Sequence, residues 1–207
     1  MPYRPTEKTE ARKKAQYNLL LSTALTLVAR DGFQNLTIAI LAEQAQVAIG
    51  TVYKYFDSKA DVCAAVFRRA TEKEVAQVQL AAFPEDAGLS CEQRLANAVQ
   101  VFSERALLGY RLAYALIAEP VDTMIQHERL KYRQAYAQIF GALIQEGINE
   151  NIFCPQDVEV SAAALVGTLS ETLLGSIGSH ISEAKAIDQQ KLISDIQGFC
   201  LRAVKHA

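Results

Sequence analysis

The sequence predicts an all-α protein, and three observations carry that expectation. Apolar residues recur at three- and four-residue intervals through most of the 207 residues, the spacing that lines one face of a helix. Helix starts are written in as well: Ser58 with Asp61 and Ser90 with Gln93 have capping-box spacing, and Thr123 with Gln126 opens another helix. No stretch alternates apolar and polar residues as a half-buried strand does, and no internal repeat is present. With half of its residues apolar, a chain of this length can bury a substantial core and divide into two small domains.

In chain order, residues 1–11 hold Pro2, Pro5 and several charges and predict a mobile arm. Tyr17, Leu20, Leu21, Ala24, Leu25, Leu27 and Val28 define a helix from about Lys13 to Arg30, stopped by Gly32, with Phe33 turning back onto the core. Thr37 caps a short helix ending near Ala45. A three-residue turn with Val47 facing inward leads to a second short helix, Ile49 to Tyr55, too short to stand alone. Ser58 opens a connector helix running from Lys59 to Ala82, and residues 83–88 form the loop that ends it. The helix opened by Ser90 breaks at Leu108 and Gly109. Tyr110 to Glu119 form a short apolar helix closed by Pro120, and a long helix runs from Thr123 to about Glu146 with Gly147 as its C-cap. Asp157 caps a helix of small and aliphatic residues weakened at Gly175 and Gly178. Residues 179–186 read as a loop, and the last helix runs from Asp188 to about Ala203. The division expected is 1–59, a three-helix helix-turn-helix domain with its arm, and 60–207, a larger helical domain for effector binding and dimerisation.

The stretch from Thr37 to Lys59, TIAILAEQAQVAIGTVYKYFDSK, carries the chemistry. Gly50 lets another backbone approach closely, Thr51 offers a hydroxyl, Lys54 a charge, and Tyr53 and Tyr55 phenol groups, while Val52 and Phe56 anchor the helix. These groups suit a DNA groove. The run V-A-I-G-T-V-Y-K-Y-F-D-S-K from Val47 to Lys59 resembles the recognition-helix signature of the tetracycline-repressor (TetR) family, V-S-x-G-T-x-Y-x-H-F-x-S-K. With L-T-I-A-I-L-A-E-Q-A before it and A-R-D-G-F upstream, the similarity covers roughly the first 65 residues. Ala48 stands where the family often has a capping Ser, and Tyr55 where it often has His. The resemblance implies a sequence-specific DNA-binding regulator that is released from a palindromic operator by a small molecule. It places Gly50, Thr51 and Lys54 near base edges and Thr37, Tyr53, Tyr55 and Lys59 on phosphates; Ile49, at a variable position where the family often has a polar or basic residue, has the apolar side chain to touch a thymine methyl instead.

Charge supports that orientation. Residues 1–59 are net +3 and residues 60–207 net −5, a basic front on an acidic body. Arg12, Lys13 and Lys14 fit a solvated helix start and a phosphate contact about equally. The chain shows no hydrophobic signal core and no apolar run of the ~20 residues that cross a bilayer, which predicts a cytoplasmic location without a membrane partner. Cys63, Cys91, Cys154 and Cys200 lack paired spacing and predict neither a zinc site nor a disulfide framework. His127, His180 and His206 are far apart, and there is no nucleophile elbow or phosphate loop, so neither metal nor cofactor nor enzymatic chemistry has a candidate constellation. Regulation by a protein partner or by Cys oxidation is the alternative to a small effector.

In the second domain, Tyr110 and Tyr114 share one helical face, as do Tyr132, Tyr136 and Phe140. With Phe102, Arg105 and Thr168 they are candidates to line a cavity for a small apolar or amphipathic effector. An ordinary core and a solvated Arg105 beside Glu104 are the plainer readings. Ala163, Gly167 and Ser170 permit close helix approach, and Ile193, Ile196 and Cys200 form an apolar stripe, which suggests a homodimer through the last two helices. The TetR resemblance implies the same pairing; an intramolecular core is the other reading of these residues.

Overall fold

The computed structural model describes residues 7–85, 88–181 and 188–205. The described residues are helical and connecting segments, without strands. The helices are α1 (Glu7–Asp31), α2 (Ile38–Gln44), α3 (Ile49–Val52), α4 (Lys59–Ala82), α5 (Cys91–Leu108), α6 (Tyr110–Ile117), α7 (Thr123–Asn149), α8 (Val158–Ile181) and α9 (Gln189–Val204).

Local chemistry sets most boundaries. The Thr37 hydroxyl accepts from the Ile40 N–H at 3.1 Å, Ser58 from Asp61 N–H at 3.1 Å, and Ser90 and Gln93 complete a reciprocal capping box. Several expectations need correction: α3 ends at Val52, short of the expected Tyr55, with residues 53–55 in a turn. Residues 7–11 are helical and extend α1 forward, so only residues 1–6 of the proposed arm lie outside the described residues. The cap of α7 is Asp122, whose carboxylate accepts from Ile125 N–H at 3.0 Å, one residue ahead of Thr123. Gly147 lies inside α7: Phe153 folds back so closely that a Cβ there would sit 2.2 Å from the ring. α8 runs through Gly175 and Gly178 to Ile181, absorbing the start of the proposed loop; residues 182–187 lie outside the described residues.

Two apolar cores hold the chain together. The first buries Leu20, Ala24, Val28 and Phe33 of the α1 region with Leu41, Val52 and Phe56 against Val62, Val66 and Phe67 of α4. It does not stop at Lys59, because Ala115 of α6 and Ile125 of α7 close it from the other side. The second packs Val78, Leu95, Val99, Phe140, Leu143, Leu165, Leu169, Leu173, Ile193, Ile196, Cys200 and Val204. Within it α8 packs against α5, α6, α7 and α9, and its segment Val158–Gly178 is long and apolar enough to cross a membrane. That corrects the sequence expectation by length and composition; one face of the segment packs against the surrounding helices and 44% of it is buried.

Candidate nucleic-acid interface and effector cavity

The reading head presents a small, projecting surface. Val52 and Phe56 are buried and Phe56 stacks on Tyr17 at 5.2 Å, fixing α3 to α1. With its inner face anchored, α3 turns Ile49 (51% exposed), Gly50 and, at its end, Tyr53 (52% exposed) and Lys54 to solvent. A Cβ on Gly50 would meet nothing within 4 Å, so no internal packing demands a glycine there. Ala48 gives α3 no side-chain cap, as its residue type dictates. Thr51 is half-buried, and Tyr55 lies against Tyr17 with ring centres 6.5 Å apart. The exposed Lys59 ammonium donates to the Gln34 carbonyl at 3.1 Å, bracing the α1–α2 turn against the start of α4. Thr37 keeps its hydroxyl proton available while its oxygen caps α2.

Between α4, α5, α6, α7 and α8 lies a cavity of about 130 Å³. Its wall is mostly apolar: Phe67, Val78, Phe102, Leu112, Leu116, Ile117 and Val166. Of the candidate ligand residues, Phe102, Arg105, Tyr132 and Tyr136 line it, and Phe102 packs edge-on to Tyr136 at 5.1 Å. The other four are elsewhere. Phe140 is fully buried in the core, Tyr114 is turned outward, and Tyr110 and Thr168 are off the wall. Arg105 is neither a free ligand group nor paired with Glu104; it forms a two-pronged ion pair with Glu74 of α4. Burial pushes the Tyr132 phenol up to about 12, and Tyr136 higher still, so both remain neutral donors.

Sequence reasoning missed Thr71, Arg129, Arg133 and Ser170, which supply polar groups to the same wall. Ser170 is buried and donates to the Val166 carbonyl at 2.9 Å, so it faces the cavity side and not a second subunit. Ile193, Ile196 and Cys200 are likewise buried inside their own chain, which overturns their placement on an exposed stripe. What α8 leaves open is a run of small groups at helical spacing: Ala163, Ala164, the half-buried Gly167, and Gly175; α9 adds an exposed Phe199. At the far end of α5, Cys91, Glu146 and Glu150 bring possible metal-ligand atoms within 4.8 Å of one another. That space already holds a cation, the Arg94 guanidinium, which donates to Cys91 Sγ and Glu146.

A second polar cluster joins the two cores. The Glu119 carboxylate, buried just after α6, accepts from Phe33 N–H at 3.0 Å and Gln34 N–H at 2.9 Å. Gly32, at φ +81°, brings the turn this close: a Cβ there would lie 2.8 Å from the carboxylate.

Comparison with known proteins places this arrangement. The family description "bacterial regulatory proteins, tetR family" matches residues 20–66, the whole reading head from α1 into α4. Over 170 residues the chain is 23% identical to the fatty acid metabolism regulator protein of Bacillus subtilis, covering 78% of this chain and 84% of that protein. A shorter stretch of 87 residues is 32% identical to the transcriptional repressor KstR of Mycolicibacterium smegmatis, covering 42% of this chain and 41% of KstR. Among solved structures, the fatty acid degradation regulator FadR of Bacillus halodurans superposes with a TM-score of 0.75 at 20% identity, over 93% of this chain and 97% of that one. FadR of Bacillus subtilis in complex with stearoyl-CoA gives 0.74 at 19% identity, over 91% and 99%. Residues 20–66 are therefore the reading head of a TetR-family helix-turn-helix regulator, carried on an all-helical fold that the chain shares with these solved structures.

Proposed function

We propose that the chain is a homodimeric, non-catalytic repressor that occupies a palindromic operator and leaves it when a small amphipathic molecule fills the cavity. Phe67 carries this reading. It is part of the core beneath the reading head and also lines the cavity, so a ligand that displaces it acts directly on the elements that aim α3. Ile49, Gly50, Thr51 and Lys54 are assigned to base edges, and Thr37, Tyr53, Tyr55 and Lys59 to phosphates. The two-fold pairing runs through the small-residue face of α8 and Phe199 of α9. For the effector, an apolar wall with a few buried donors suits an acyl chain ending in a polar group, the class to which the stearoyl-CoA of the Bacillus subtilis FadR complex belongs. Direct oxidation is the weaker alternative: Cys63, beside the reading head, is buried and its thiol is pushed up to about 11, which suppresses the reactive thiolate.

The test is selection of purified protein on a pool of random duplexes at two salt concentrations, followed by stearoyl-CoA titration on the enriched duplex. An enriched palindrome released by stearoyl-CoA is expected. Salt-sensitive binding with no enriched motif would reject a sequence reader, and an enriched single half-site would reject the dimer.

A further inference from the structure

Arg129 of α7 has a place in the molecule that the family assignment does not explain. It lines the cavity, is 9% exposed, and among the described residues has no carboxylate within ion-pair reach. Its bonds go to main-chain carbonyls at the C-terminal end of α6: Nε to Leu116 at 2.9 Å, and Nη2 to Ala115 at 3.2 Å and Glu119 at 2.8 Å. Nη1 donates to Gln126 Oε1 at 3.0 Å, and its other N–H has no acceptor in this set. The carbonyls, the negative end of the α6 dipole and the Glu119 charge beyond ion-pair reach compensate the charge in part, but a buried guanidinium without a directly bonded anion is costly. Burial accordingly lowers its pKa, with the neighbouring Arg133 acting in the same sense and Glu119 opposing it.

The same residue holds the segment that grips the reading head. Arg129 fixes the Glu119 carbonyl while the Glu119 side chain clasps the Phe33 and Gln34 N–H groups, and Lys59 takes the Gln34 carbonyl. A group that draws the guanidinium into the cavity takes it away from α6 and loosens this chain of contacts.

We infer that Arg129 is the polar contact for the effector, which therefore carries an anionic or strongly accepting group beside its apolar chain, and that Arg129 relays occupancy through Glu119 to the α1–α2 turn. This rests on the cavity being the effector site. The relay through α6 is separate from the displacement of α4 at Phe67, and the two can be told apart because the Glu119 carboxylate bonds only the Phe33 and Gln34 N–H groups in the bonds described, while Arg129 reaches Glu119 through its main-chain carbonyl.

The experiment uses the full chain, the selected duplex, and three probes in calorimetry: stearoyl-CoA, dodecanoate, and dodecyltrimethylammonium, which has a dodecyl chain and no acceptor. The two anions should bind the wild type. Arg129→Met should weaken them about tenfold or more, the scale of a lost charge-assisted bond, while improving the cationic probe. Arg129→Lys, which keeps the charge, should fall between. Glu119→Gln should leave anion affinity for free protein within about twofold and shrink the factor by which bound duplex weakens the anion, the reciprocal of effector release. Undiminished anion binding by Arg129→Met overturns the contact, and an undiminished factor in Glu119→Gln overturns the relay. Flat wild-type isotherms for both anions would reject the acyl reading. The relay is then decided without ligand, by duplex affinities of both single variants and the double: coupled losses uphold it and additive losses overturn it. Thermal unfolding of each variant separates these effects from misfolding.

Discussion

At the scale of single residues, two glycines separate what the fold needs from what the DNA surface needs. Gly32 is required internally, by its positive φ and by the carboxylate lying against it. Gly50 meets nothing of its own chain. Gly50→Ala should therefore leave the melting temperature unchanged or slightly raised, since alanine is better in a helix by about 0.5–1 kcal/mol, while operator affinity falls because the methyl group stands in the groove. Thermal unfolding and fluorescence anisotropy on the selected duplex check both halves; unchanged affinity would remove Gly50 from the interface. The residues of the reading head were legible because their chemistry is local: a Thr at a cap, a Val and a Phe one turn apart as anchors. Arg129 was not. Its role depends on carbonyls of a different helix, and an Arg in the polar run around Glu128 and Lys131 looks like any solvated surface group.

At the scale of elements, helix starts were more legible than helix ends. Ser58, Ser90 and Asp157 each cap the helix expected of them, and Asp188, expected as the first residue of the last helix, is its cap, because capping is settled within one turn. The ends of α7 and α8 ran past the glycines that should have stopped them, because the packing of Phe153 on Gly147 and of Leu173 and Ile177 in the second core outweighs a local preference. One contact between elements makes a pH prediction. Arg94 of α5 bonds Glu146 of α7 and holds that carboxyl below its ordinary value near 4.5. A depressed carboxylate contributes stability above that ordinary value, and the contribution is lost as pH falls through the folded pKa. Arg94→Met should flatten the acid limb of the stability curve below about pH 4.5 relative to wild type, as followed by urea unfolding.

At the scale of the whole molecule, the apolar stripe of α9 was the main misreading. Ile193, Ile196 and Cys200 repeat at helical spacing, and spacing alone does not say whether the partner is another helix of the same chain or a second copy. The structure spends them inward, which leaves α8 with its small-residue face and α9 with Phe199 for pairing. Gly167→Phe tests that surface, since a Cβ at Gly167 meets nothing within 4 Å in its own subunit. Light scattering should report a mass near the 22.7 kDa of one chain, with cooperative unfolding retained and operator affinity reduced. A dimer of unchanged affinity would move the interface elsewhere.

The closing of the first core by Ala115 and Ile125 has a consequence for protein engineering. Exchange of sensor halves between regulators assumes that the DNA-reading piece is a cassette that can be cut at the start of the connector helix. Here that cut strips from the core Val62, Cys63, Ala65, Val66 and Phe67 of α4 as well as Ala115 and Ile125, and removes the Glu119 acceptor from the α1–α2 turn. A chimera joined at Lys59 inherits an unsealed head. A working graft carries the first half of α4, α6 and the first turn of α7 along with it, so the transplantable unit is discontinuous in sequence.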